Sequence, residues 1–380
     1  MTSLYIHIPF CRRKCCYCDF LSVPDTGLLE PFLSALLQEL ALRAEEADRQ
    51  PLETIFLGGG TPSLLEPPHL ERLLSHLRAV FDITADAEIT LEANPGTVSR
   101  DKLTACRELG VNRLSIGLQS FHDRELDFLG RVHNCVEAIQ CVKDVRAAGF
   151  DNWGLDLIYA IPGQALADWK ENLALAVDLN PAHLSAYNLT IEPGTPLARM
   201  VARHEVAPAA SSLEAAMLET AMELLAGHGY EHYEISNYAR PGFRCRHNLN
   251  YWRHGEYLGL GPSAHSFRKD SGQPAGRRWW NTADLAEYIR RLRKAELPVE
   301  AEERLGQREF VAERIFLGLR NGSLDLAALA KSFGYDLDTR AAPVVAGLVE
   351  AGLVRRELNT LALTDKGYLV CDEICRRLLV

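Results

Sequence analysis

No stretch of this 380-residue chain approaches the roughly eighteen consecutive apolar residues of a membrane-spanning helix, which excludes a helical span. A signal-peptide pattern is also lacking, and the ten cysteines follow no framework spacing. Both absences argue against a secreted disulfide scaffold and for a cytoplasmic protein with free thiols. Positive charge is short: 41 Lys and Arg stand against 51 Asp and Glu, a net of −10. A dedicated nucleic-acid binder is thereby excluded, because neutralising phosphates takes clustered Lys and Arg. There is no internal repeat, heptad array or low-complexity tract. What remains is 47% hydrophobic and 24% charged, ordinary for a soluble globular chain with one large domain plus a smaller one, or two of ordinary size.

What the chain does have is concentrated in its first twenty residues, in the run Cys11-Arg12-Arg13-Lys14-Cys15-Cys16-Tyr17-Cys18. Thiolate sulfur is the soft ligand of an iron–sulfur cluster. Cys11, Cys15 and Cys18, at CxxxCxxC spacing, provide three ligands for a 4Fe-4S cubane and leave its fourth iron open to an exogenous chelator. The run follows Leu4-Tyr5-Ile6-His7-Ile8-Pro9-Phe10, which reads as a buried strand. Three rival readings stand beside the cluster. A zinc knuckle would want a fourth Cys or His nearby, and His7 belongs to the strand before the loop. The others are a disulfide pair and cysteines packed as small apolar residues. Cys16 is either a spare ligand or a filler facing away.

Helical and strand periodicities then alternate. Helices are expected at 28–48, 67–80, 99–109, 134–148 and 166–178, and strands at 54–57, 87–92, 113–119, 153–159 and 183–190. The strand at 54–57 runs into Gly58-Gly59-Gly60-Thr61-Pro62, where backbone amides can approach a ligand, or simply turn tightly. With the N-terminal strand this makes six β/α units, where a closed barrel needs about eight. The predicted fold class is α/β, an open six-stranded (β/α)6 partial barrel. Glu92, Gln119, Asp156 and Asn188 recur near the strand ends. Each alone could be a structural hydrogen bond, but together they point to a polar ligand.

The cysteine spacing, with the aromatic Tyr17 before the last cysteine, resembles the radical S-adenosylmethionine (SAM) superfamily. The segments HIPFC, GGGTP, LEANP, GLQSF with a later Arg131, and DLIYAIPGQ resemble one family within it. That family comprises the oxygen-independent coproporphyrinogen III oxidases and the HemW-type haem chaperones, and the likeness covers nearly the whole chain. It implies a radical SAM fold and a 4Fe-4S cluster on Cys11, Cys15 and Cys18. It also implies SAM contacts from Tyr5, Tyr17, Gly59, Gly60, Thr61, Glu92, Gln119, Arg131 and Asp156, with Thr190 at a looser match.

Two departures separate the chain from the oxidase branch. That branch has a fourth cysteine where this chain has Phe20, and a long N-terminal extension that helps to close over substrate. Conversely, Arg246-His247-Asn248-Leu249-Asn250-Tyr251-Trp252 matches the HNxxYW signature of HemW-type chaperones. The resemblance implies haem contacts from His247, Asn248, Tyr251 and Trp252, with His247 as a candidate axial ligand. Arg240, Arg244, Arg246 and Arg253 nearby are candidates for the propionates. Cys245 is a competing soft ligand, and His247 could instead only pack between Tyr251 and Trp252. His254 and His265, beside the Gly-rich loop 255–261, receive no role.

The expected function is a radical SAM haem chaperone that binds cluster, SAM and haem and passes haem to acceptor haem proteins, with those of the respiratory chain as the implied class. Membrane association would be peripheral at most, and the oligomeric state stays open between monomer and dimer. The enzymatic rival is oxygen-independent coproporphyrinogen III oxidase activity, in which a 5′-deoxyadenosyl radical abstracts a propionate hydrogen. A structural zinc protein is the third class.

Toward the C-terminus, helices are expected at 210–227, 307–319, 324–333 and 341–351, a short strand at 277–282, a hairpin over 353–364 and a last helix to Leu379. They suggest a mostly helical, winged-helix-like domain. Residues 300–380 carry 11 Lys and Arg against 13 Asp and Glu, so this unit reads as a lid or docking platform and not as a DNA reader. The chain divides into 1–235 (cluster and SAM), 236–300 (connecting region with the haem motif) and 301–380.

Overall fold

A computed structural model describes residues 2–44 and 51–379. The chain opens with β1 (Ser3–Ile8), α1 (Leu29–Ala44), β2 (Leu52–Gly59), α2 (Pro67–Val80), β3 (Ile83–Ala93), α3 (Arg100–Glu108) and β4 (Arg113–Gln119). Two helices follow before the next strand, α4 (Asp123–Leu129) and α5 (Cys135–Ala147), then β5 (Trp153–Tyr159), α6 (Leu166–Asp178) and β6 (His183–Asn188). Strands β1 to β6 pair in sequence order, all parallel. Parallel strands covered by helices read as near-continuous apolar runs, and β4, buried along its whole length, shows why the pattern was legible. Helix starts carry their own signals: Ser99 caps α3, and Asn134 with Glu137 forms a reciprocal capping box on α5.

Three differences from expectation are local. Residues 45–48 of the expected first helix lie outside the described residues. Helix α4 was not anticipated, and β6 ends at Asn188, leaving Thr190 beyond the strand.

The larger difference is that the sheet continues at both edges. After α7 (Pro196–Ala202) and α8 (Ser211–Gly227), β7 (Glu231–His232) and β8 (Asn237–Ala239) add antiparallel strands beside β6. Helix α9 (Arg246–Trp252) leads to β9 (Tyr257–Leu260), which pairs parallel to β1 on the opposite edge. Strands β10 (His265–Lys269) and β11 (Gly276–Asn281), helix α10 (Leu285–Arg293) and β12 (Val299–Leu305) complete a 12-stranded sheet. Buried Glu39 of α1 anchors this extension, accepting from Gly261 N (2.9 Å), Asn281 Nδ2 (2.7 Å) and Tyr288 Oη (2.6 Å).

The C-terminal unit holds α11 (Gln307–Arg320), β13 (Ser323–Asp325), α12 (Leu326–Phe333), α13 (Leu337–Arg340), α14 (Ala342–Glu350), β14 (Val354–Glu357), β15 (Thr360–Leu363), α15 (Asp365–Tyr368) and α16 (Cys371–Leu378). Its own apolar core includes Ile315, Leu319, Leu348, Leu361 and Ile374. The wing has three strands, in the order β13-β15-β14, because residues 323–325 pair with β15 before α12 begins.

Candidate functional site

The cysteine loop leaves the C-terminal end of β1 and is clamped at its base, where Cys11 N donates to Val23 O (3.1 Å) and Val23 N to Pro9 O (2.7 Å). Cys11 Sγ lies 3.2 Å from Thr61 Oγ1, and Arg131 Nη1 donates to Cys15 Sγ at 3.5 Å. The Cys18 thiol is pushed up by burial, with Cys15 and Cys11 adding to the effect. Cys16 turns away: its thiol donates to Phe128 O (3.2 Å) and its carbonyl accepts from Leu197 N. Among the described residues no three Cys, His, Asp or Glu side chains converge on one metal-ion position. A cubane, whose thiolates each take a different iron, asks for a wider triangle. Arg131 Nε is buried without a partner beside these thiols, an unspent donor that fits an anionic cluster or a carboxylate chelated to it.

A cavity of about 610 Å³ opens over this loop. It is lined by Cys11, Cys15, Cys18, Tyr17, Gly59, Gly60, Thr61, Glu92, Gln119, Arg131, Asp156 and Thr190. Every residue expected at SAM except Tyr5 is thus brought together. The glycines are there for space as well as conformation. A Cβ on Gly60 would stand 2.6 Å from Phe10 O, and Gly59 has φ +109° with the His7 ring 2.6 Å from where its Cβ would be. Gln119 ends β4 at φ 73°, a left-handed value that breaks the register with β5 and marks local strain at the cavity wall.

Two carboxylates face this space. Burial, with Asp156 adding, pushes Glu92 up to about 8, and among the described residues one group, Gly59 N at 3.1 Å, donates to it. The Asp156 carboxyl is also raised by burial, against hydrogen bonds from Ser185 and Ser115, the latter at 3.0 and 3.2 Å. Carboxyls held above their ordinary range in a cavity favour a cationic ligand that ionises them. Asn94 was missed by sequence reasoning although it lies in the LEANP segment. It donates to Thr61 Oγ1 (2.9 Å) and accepts from Arg131 Nη2 (2.5 Å), tying the glycine turn to the arginine.

A second cavity of about 810 Å³ adjoins the first; Asp19, Phe20, Gly59, Glu92, Ser115, Asp156 and Tyr187 line both. Tyr5, Asn248, Tyr251, Tyr257, His254, His265 and Arg278 line its walls, and Phe316 and Leu317 of α11 close it from the C-terminal unit.

His247 and Trp252 line neither cavity. His247 is 1% exposed and both ring nitrogens are engaged, Nδ1 with Thr54 Oγ1 (2.8 Å) and Nε2 with Tyr251 Oη (2.9 Å). Thr54 passes its own proton to Ser3 Oγ, so Nδ1 carries the imidazole hydrogen and Nε2 accepts from the phenol. Burial lowers this ring to about 3, and it stacks on Phe56 at 5.1 Å. Buried Glu88 fixes the start of α9, accepting from Arg246 N and His247 N, each at 3.1 Å. The signature helix therefore plugs the N-terminal end of the barrel. Three of the four nearby arginines are engaged elsewhere: Arg244 pairs with Glu231, Arg246 with Asp86 and Glu53, and Arg240 lies over the Tyr230 ring.

The radical SAM superfamily model matches residues 5–176 and the HemN C-terminal domain model residues 305–370. The heme chaperone HemW of Bacillus subtilis (strain 168) is 34% identical over 377 residues, covering 98% of each chain. The heme chaperone HemW of Mycobacterium tuberculosis (strain H37Rv) is 38% identical over 382 residues, covering 99% of this chain and 94% of that one. Among solved structures, the radical SAM enzyme coproporphyrinogen III oxidase (HemN) from Escherichia coli superposes with a TM-score of 0.84. It is 25% identical, over 99% of this chain and 89% of that one. A thiol-lined cavity at the mouth of a six-unit partial barrel, a HemN-type C-terminal domain and full-length likeness to curated chaperones agree: this chain belongs to the HemW haem chaperone family of the radical SAM superfamily.

Proposed function

We propose that this chain holds a 4Fe-4S cluster on Cys11, Cys15 and Cys18, binds SAM in the 610 Å³ cavity, and carries haem in the adjoining 810 Å³ cavity for delivery to acceptor haem proteins. The observation that carries the reading is the confluence of the two cavities, one lined by thiols, glycines and raised carboxylates, the other larger and rich in aromatic walls. When bound, the cluster supplies an iron that chelates the amino and carboxylate groups of SAM and a one-electron donor. Glu92 and Asp156 counter the cofactor's positive charge, Gly59 and Gly60 let the backbone approach it, and Arg131 holds Cys15 in place. Asn248 and Tyr251 face the cargo, while His247 holds the helix that presents them.

In this reading residues 1–235 hold the cofactors, 236–300 form the haem wall and 301–380 roof it. The acceptors are haem proteins of the respiratory chain, met from the cytoplasm with peripheral membrane association at most. No nucleic acid takes part, and a dimer is compatible with it.

The test is anaerobic reconstitution. Iron and sulfide should fall sharply in Cys11→Ala, Cys15→Ala and Cys18→Ala and stay unchanged in Cys16→Ala. The wild type should bind haem and transfer it to an apo-haem protein, without sustained conversion of coproporphyrinogen III. The structural likeness to HemN keeps one rival in view, and robust turnover of that substrate would establish the oxidase instead.

A further inference from the structure

Five histidines wall or back the larger cavity, and an axial haem ligand needs a neutral ring with a free nitrogen facing the cargo. His7 spends both nitrogens, on Tyr5 Oη (3.2 Å) and Leu21 O (2.8 Å). His183 bonds Tyr233 Oη through Nε2 (2.8 Å), and its Nδ1 is packed against Gly154, where a Cβ would lie 3.1 Å away. His247 is spent as described. His254 keeps an unpartnered Nδ1, but the ring is 4% exposed, clasped between the rings of Phe267 (4.7 Å) and Phe310 (4.3 Å), with Nε2 3.0 Å from Glu313, so burial and not hydrogen bonding withholds it.

His265 differs from all four. It begins β10, is exposed, and neither ring nitrogen has a partner among the described residues. It stands directly across from Trp280 of β11, and the two rings stack at 5.5 Å and 24°, which orients the imidazole without consuming its nitrogens. Burial and the neighbouring Arg278 lower its affinity for a proton, so the lone pair is available at neutral pH. From the other side α11 brings Phe316 and Leu317, and Tyr257 and Phe267 add further apolar wall. A volume of about 810 Å³ lies within the ~300–1,000 Å³ usual for ligand pockets.

We propose that His265 ligates the haem iron, with the macrocycle held between the β9–β11 edge of the sheet and α11. The assignment rests on the haem-carrying reading above. It uses a planar metal macrocycle with an open axial position and no other chemistry.

The full-length protein is titrated with ferric haem, and the Soret band and low-temperature EPR spectrum are recorded for wild type, H265A and H247A. Circular dichroism checks the fold of each variant. The wild type should show a histidine-ligated spectrum. H265A should lose it and bind at least tenfold more weakly, and added imidazole should restore the spectrum. H247A, which loosens the helix carrying Asn248 and Tyr251, should lose affinity and stability but keep the histidine-ligated spectrum of the haem it does bind. A wild-type spectrum and affinity in H265A would overturn the ligand assignment while leaving haem carriage intact. Failure of the wild type to bind haem at all would overturn the carriage itself.

Discussion

Glu88 and Glu92 lie four residues apart on β3 and project into the same barrel, yet they have opposite surroundings. Glu88, near the barrel's N-terminal end, accepts from the amides of Arg246 and His247, and Arg113 Nε lies 4.0 Å away. Glu92, at the mouth, has one amide and a second carboxylate, Asp156, for company. The first is satisfied by the chain and serves the fold; the second is left for a ligand to satisfy. The same contrast separates His247, with both nitrogens spent, from His265, whose nitrogens have no partner among the described residues.

The sharpest way to break this comparison is Glu88→Ala. It strips a buried arginine and a helix start of their carboxylate, and should lower unfolding free energy by about 3–5 kcal/mol in denaturant titrations. His247→Ala should come next, at about 2–4 kcal/mol, from a lost ring and two buried hydrogen bonds. Glu92→Gln reverses the pattern: stability should hold or rise, while SAM binding to the reconstituted protein, followed by calorimetry, should weaken about 10- to 100-fold. If Glu88→Ala and Glu92→Gln had the same profile, the division of roles would be lost.

A pH series sharpens the contrast. Glu92 is raised from 4.5 to about 8 in the folded chain, so between those values the unfolded chain has released a proton that the folded one keeps. Stability of the cofactor-free protein therefore falls as pH rises from 4.5 toward 8. A cationic ligand favours the ionised carboxyl, so SAM binding should release a proton below pH 8 and strengthen as pH rises, by up to about tenfold per unit. Calorimetry in buffers of different ionisation enthalpy reads that proton directly. The smallest effect is expected from Thr190→Ala at the exposed cavity rim, about threefold or less in SAM affinity.

Most of the barrel was legible because its strands are buried on both faces and its helices carry caps. The sheet extension was not. β12 reads Val299-Glu300-Ala301-Glu302-Glu303-Arg304-Leu305, a solvated charge run in isolation, and becomes a strand by pairing with β11, where Glu302 meets Arg277 and Glu303 meets Arg278. Asn94 escaped notice because one asparagine after a strand is common in turns.

Local order along the chain settled the alternating β/α pattern, the cysteine loop and the glycine turn, since each depends on neighbours within a few residues. Which carboxylate stays hungry and which histidine keeps a free nitrogen was decided only in three dimensions. Glu88 is capped from a helix 158 residues further on, and His247 bonds a threonine 193 residues behind it. Hydrogen-bond capacity is used up by whatever packs alongside, and no spacing rule along a chain records that.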